Sequence, residues 1–116
     1  MVEVGGHPIR LCGADEIVPG ESRRFDVEGL RVCVVRIDDD FYAIGDRCSH
    51  EDYSLAEGEV FVDDAEIECW KHGSTFSLRT GEPQSLPATK PVPVYDVRVD
   101  GADLVLSARV EEGDRT

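Results

Sequence analysis

The amino-acid sequence predicts a single all-β domain over residues 1–116. Three observations carry the prediction: short apolar stretches alternate with turn signals from end to end, no stretch keeps a helical period over several turns, and most stretches are rich in Val, Ile, Phe or Tyr. A chain of 116 residues is the size of one ordinary domain and is read without a second, catalytic one.

Taken in order, Ile9–Cys12 opens the strand pattern, and Ala14–Ile17 has room for one helical turn before Pro19-Gly20 breaks it. Ser22–Val27 and Leu30–Ile37 read as strands joined by Glu28-Gly29, and Asp38-Asp39-Asp40 turns the second into Phe41–Gly45. Ile67–Cys69 and Thr75–Leu78 are shorter strands inside residues 46–80, the stretch that carries both Cys/His pairs. Pro83, Pro87, Pro91 and Pro93 make residues 82–93 a loop, because proline cannot donate to a strand ladder. Val94–Val99 and Leu104–Ser107 form a final hairpin about Asp100-Gly101-Ala102-Asp103, and the polar Glu111–Thr116 is expected to be a loose tail.

The net charge of −13 bounds the partners. Such a field repels phosphate backbones and anionic lipid, so nucleic acid and membranes are excluded as partners, while a basic protein surface would be attracted. The same acidity also serves solubility alone. Hydrophobic residues are 41% of the chain, with no apolar run near the roughly 18 residues of a membrane span. Met1–Arg10 carries Glu3 and Gly5-Gly6-His7-Pro8 where a secretory signal needs a basic start and an apolar stretch, and Arg23-Arg24 has no apolar stretch behind it. A cytoplasmic protein is expected.

The strongest chemical signal is a pair of mixed motifs, Cys48-Ser49-His50 and Cys69-Trp70-Lys71-His72, with eighteen residues between His50 and Cys69. Two thiolates and two imidazoles suit tetrahedral zinc by composition. Spacing points elsewhere: Cys-x-His is tight for joint chelation of one tetrahedral ion, and no helix is predicted to present paired histidines. In a [2Fe-2S] centre with two Cys and two His ligands, the cysteines take one iron and the histidines the other, so each loop supplies one ligand to each iron. The mixed pairs suit that division, and structural zinc stays as the alternative.

Cys48-x-His50 followed by Cys69-x-x-His72-Gly73 resembles the Rieske motif, and nearly the whole chain resembles the ferredoxins of bacterial aromatic-ring-hydroxylating dioxygenases. The resemblance runs through residues 48–55, residues 69–81 and Ser85-Leu86-Pro87-Ala88. It implies an antiparallel β-sandwich with a small cluster-binding subdomain of two loops, residues 46–80, and a proline loop, residues 82–93, covering the cluster. It implies one 2Fe-2S cluster on Cys48, His50, Cys69 and His72, with the outer edges of both histidines exposed. Ser74 matches a serine that donates to a bridging sulfide in high-potential members. Those members also carry a disulfide and a tyrosine hydroxyl near the cluster. Tyr53 and Lys71 stand at the disulfide positions here and Phe76 at the tyrosine, so the expected potential lies in the low half of about −150 to +300 mV.

The histidine ligands set that window by charge. Two ferric ions, two sulfides and two thiolates are neutral together, whereas four thiolates would leave the oxidised cluster at minus two, and a neutral centre takes an electron more readily.

The remaining candidates receive plain readings. Cys12 and Cys33, on predicted strands, are expected as buried thiols, and His7 as a solvated surface histidine. Trp70 packs beside the cluster loop or relays electrons. Arg47 and Lys71 are solvated or dock an acidic rim. No nucleophile with a base, no phosphate-cradling loop and no second iron site is legible. The resemblance therefore implies a monomeric one-electron carrier between an NAD(P)H-dependent flavin reductase and a terminal Rieske-type oxygenase, and no enzyme. A role in iron-sulfur cluster assembly would show the same motif. The small subunit of an assimilatory nitrite reductase shares the fold but usually lacks the ligands.

Overall fold

The strand Leu30–Ile37 (β4) organises the molecule because it is apolar on both faces. Val32 and Val34 point into one core, and Cys33, Val35 and Ile37 into another. The computed structural model describes residues 2–3, 8–27, 29–47, 54–70, 73–84 and 90–110. Within these, the other strands are β1 (Val2–Glu3), β2 (Ile9–Gly13), β3 (Ser22–Val27), β5 (Asp40–Gly45), β6 (Val60–Phe61), β7 (Glu66–Glu68), β8 (Thr75–Ser77), β9 (Val94–Asp100) and β10 (Asp103–Val110). All strand pairings are antiparallel.

Seven strands form one sheet in the order β1-β10-β9-β5-β4-β3, with β2 also paired to β10. Cys12 of β2 and Leu104 and Leu106 of β10 meet Val32, Val34 and Ala43 in one core, so the sheet folds over on itself and makes the sandwich. A second sheet, β6-β7-β8, lies against the opposite side of β4. The core between them holds Cys33, Val35, Ile44, Leu55, Ile67, Cys69, Phe76 and Leu78, all essentially inaccessible to solvent. Each full-sized apolar side chain there contributes roughly 1.5–3 kcal/mol over its exposed state.

The predicted bounds of β3 and β4 match the structure, and the other predicted strands differ from it by one to three residues at an end. The hairpins are tighter than expected. Ile37 pairs with Asp40 and Asp100 with Asp103, which leaves two-residue loops at Asp38-Asp39 and Gly101-Ala102. The helical turn at Ala14–Glu16 is a single 3₁₀ turn, and a second at Leu55–Glu57 was not predicted. Cys69 and Leu78, the last residues of two predicted strands, fall just outside β7 and β8 because the chain turns there: the Cys69 N–H donates to the Ser74 carbonyl and the Leu78 N–H to that of Ala65. The expected tail, Glu111–Thr116, lies outside the described residues.

Candidate metal centre

The segment bearing Cys48 and His50 leaves and returns at one place. Strand β5 ends at Gly45, and Arg47 then faces Ser54 in an isolated antiparallel pair. The Leu55 N–H donates 2.7 Å to the Asp46 carbonyl, closing the base of residues 48–53. The carboxylate of Asp46 is fully buried and accepts from the Ser54 hydroxyl at 2.5 Å and from the Ala56 N–H at 2.8 Å.

The second motif sits on an equally closed turn. Strand β7 delivers Cys69, whose side chain is buried and forms no disulfide. Its N–H donates 2.7 Å to the Ser74 carbonyl, and its own carbonyl accepts from the Gly73 N–H at 2.9 Å. Trp70, next to Cys69, is about half exposed, and Ser74 is buried.

What brings the two bases together is the segment 54–59. It leaves the first loop through the 3₁₀ turn and runs along the start of the second, with the Glu68 N–H donating 2.9 Å to the Glu59 carbonyl. A Cβ at Gly58 would overlap the Glu68 carbonyl, so only glycine allows this approach. Leu55, after the first loop, and Cys69, opening the second, lie in the same core.

The proline segment is pinned at both ends to these elements. Pro83 pairs with Phe76 and the Gln84 N–H reaches the Thr75 carbonyl at 2.6 Å. At the far end Val92 donates to Gly81 and Gly45 to Pro93, each at 2.8 Å. Residues 85–89, which include Pro87, lie outside the described residues.

Of the four predicted ligands the structure thus places Cys69. Cys48, His50 and His72 lie outside the described residues, as do Tyr53, Lys71 and His7. Among the described residues no group of three His, Cys, Asp or Glu side chains forms a metal site. The donor chemistry that is described fits a [2Fe-2S] cluster: a buried thiol on a closed turn, set beside the base of the loop that holds the other motif. Cys12 and Cys33 are buried thiols, as expected. Burial pushes the Cys33 thiol far above its ordinary range, and the nearby Asp46 carboxylate pushes the same way. Burial also raises Cys12, with Glu16 second and Arg23 and Arg10 opposing. Neither is held as the thiolate a metal needs. Phe76 is buried and brings no hydroxyl to its site. Asp46 and Gly58 escaped the sequence reading, because an aspartate and a glycine in a loop carry no periodic signal.

Two tied loop bases on a folded antiparallel sheet, with a buried thiol beside them, make a small β domain with a place for a thiolate-bound metal centre. The model of the Rieske [2Fe-2S] domain matches residues 7–96, and the chain belongs to that family; it carries one Rieske 2Fe-2S cluster. The chain is 39% identical over 98 residues to the 3-phenylpropionate/cinnamic acid dioxygenase ferredoxin subunit of Escherichia coli (strain K12), spanning 84% of this chain and 91% of the relative. The solved ferredoxin of carbazole 1,9a-dioxygenase from Nocardioides aromaticivorans IC177 is 41% identical and superposes with a TM-score of 0.85, covering 88% of this chain and 98% of that one. A solved complex of reduced oxygenase and oxidised ferredoxin in carbazole 1,9a-dioxygenase contains a chain 35% identical, with a TM-score of 0.82 and coverage of 91% and 99%. Like these ferredoxins, the protein is an electron carrier and not itself the catalytic component.

Proposed function

We propose that this protein takes one electron from an NAD(P)H-dependent flavin reductase and passes it to a Rieske-type oxygenase, through a cluster ligated by Cys48 and Cys69 on one iron and His50 and His72 on the other. When bound, such a cluster supplies reversible one-electron chemistry. The chain's own residues supply the mount. Cys69 would offer its thiolate from a buried turn, the Arg47–Ser54 pair holds the stem of the segment carrying Cys48 and His50, and the buried Ser74 would supply a hydroxyl to the cluster. The observation that supports the proposal is the close approach of Gly58 and Glu59 to Glu68, which sets the chain leaving the first motif's segment beside the strand that leads to Cys69. The oxygenase as acceptor is supported by the solved complex of a similar ferredoxin with its oxygenase. The relatives named are dioxygenase ferredoxins, which favours this role over cluster assembly.

No helix among the described residues is long and apolar enough to cross a membrane. The protein works as a cytoplasmic monomer and meets its partners through their basic surfaces. Reconstitution with a flavin reductase and an oxygenase tests the role: NADH-driven product formation that requires this protein is expected, and failure of any ferredoxin reductase to reduce it overturns the proposal. Because the chain carries −13, the rate of association with the oxygenase should fall about tenfold or more as the screening length is shortened from about 30 to about 3 Å with salt. A rate independent of salt in stopped-flow measurements would remove electrostatic steering.

The midpoint potential follows from the same surroundings. With no hydroxyl at Phe76 and no cysteine at Tyr53 or Lys71, square-wave voltammetry should give a midpoint in the low half of the Rieske window, below about +75 mV. A value near the upper end contradicts this reading.

A further inference from the structure

We infer that Asp46 is a positioning residue for the cluster, bracing the loop of Cys48 and His50 with buried hydrogen bonds. The inference rests on the ligand assignment proposed above. A fully buried carboxylate is costly and is retained only when well partnered. Asp46 is so partnered, and every partner belongs either to the stem of this loop or to the sheet beneath it. Its Oδ2 takes the Ser54 hydroxyl at 2.5 Å and its Oδ1 the Ala56 N–H at 2.8 Å. Arg24 Nε on β3 and Arg31 Nη2 on β4 lie 3.6 and 3.8 Å from Oδ2. The backbone repeats the tie: the Asp46 N–H donates 3.0 Å to the Arg31 carbonyl and the Asp46 carbonyl accepts from Leu55.

One side chain therefore fixes the entry to the loop, two residues before Cys48, against its exit at Ser54 and Ala56, and fixes both against β3 and β4. Ala56 and Gly58 then lead to Glu68 and Cys69, so the restraint reaches the second loop as well. Hydrogen bonds to a buried carboxylate are strengthened by the low dielectric around it and hold the groups that make them in one geometry.

The test uses the holoprotein carrying Ser54→Ala or Asp46→Asn, with Ile17→Val, in the other core, as a stability control. Two quantities are read: the first-order loss of visible cluster absorbance under excess chelator, and the g-values and linewidths of the reduced protein by EPR. Ser54→Ala is expected to hasten cluster loss about tenfold and to broaden the rhombic signal, since the hydroxyl bonds a charged group. Asp46→Asn should exceed it, and the double variant should match Asp46→Asn alone, because both act through one network. Ile17→Val should lower the melting temperature and leave both readings unchanged. If Ser54→Ala and Asp46→Asn behave as Ile17→Val does, the bracing role is overturned. Ser54→Ala decides the matter even where Asp46→Asn does not fold. A wild-type holoprotein without a rhombic signal would instead refute the ligand assignment, and so the two failures are distinguishable.

Discussion

Replacing Cys69 by alanine should give a colourless protein with no iron, no rhombic EPR signal after reduction and no electron transfer to an oxygenase. The thiol is fully buried at the end of β7, and nothing else on that turn can supply a thiolate to the same iron. On the proposed ligation, removing one of two thiolates leaves that iron incomplete and strips a negative charge from the neutral oxidised core, so loss of the cluster and not a shift in its properties is the expected result. The scaffold should survive, since deleting one sulfur from this core costs on the order of 1 kcal/mol. Far-ultraviolet circular dichroism should remain that of a β protein. Cys33→Ala is the control. Its thiol lies in the same core but is held neutral by burial and by Asp46, and the variant should keep its full complement of iron. Metal analysis of the two variants separates a ligand from a packed cysteine. A Cys69→Ala protein that keeps iron and colour would remove Cys69 from the ligand set, and zinc in the wild type would reinstate the structural alternative.

Gly58→Ala is expected to be the most damaging single change outside the ligands. The added Cβ would overlap the Glu68 carbonyl, and the obstacle is backbone, which cannot rotate away. Either the 3₁₀ turn Leu55–Glu57 or strand β7 must move. The cost should be about 2–4 kcal/mol, a melting temperature lower by about 10–20 °C in calorimetry of the holoprotein. Because Glu68 precedes Cys69, the displacement is passed directly to the proposed cluster ligand, and cluster retention should fall with stability. A shift of less than about 3 °C would mean that the two loop bases are not in close approach.

The uneven legibility of these features in the sequence has physical reasons. Strands β3 and β4 were readable to the residue because Glu28-Gly29 separates two long apolar-rich runs, and local signals alone decide such a hairpin. The two-residue strands β1 and β6 carry no period of their own and exist because β10 and β7 pair with them. The Cys/His motif was readable because chemistry, not packing, fixes its residue types. The positions that support it were not. Asp46 sits in a polar stretch whose burial depends on Arg24 and Arg31 from other strands, and Gly58 is required by a carbonyl ten residues further on. The sandwich likewise was implied by family likeness, whereas the folding of one seven-stranded sheet over itself emerges only from the cores it encloses.

The double burial of β4 bears on how the protein comes apart. Val32 and Val34 report to one core and Cys33, Val35 and Ile37 to the other, so neither core can open without exposing the strand that seals its neighbour. The two cores are consequently coupled through one strand, and the amide protons of β4 should be among the slowest of the described residues in hydrogen exchange.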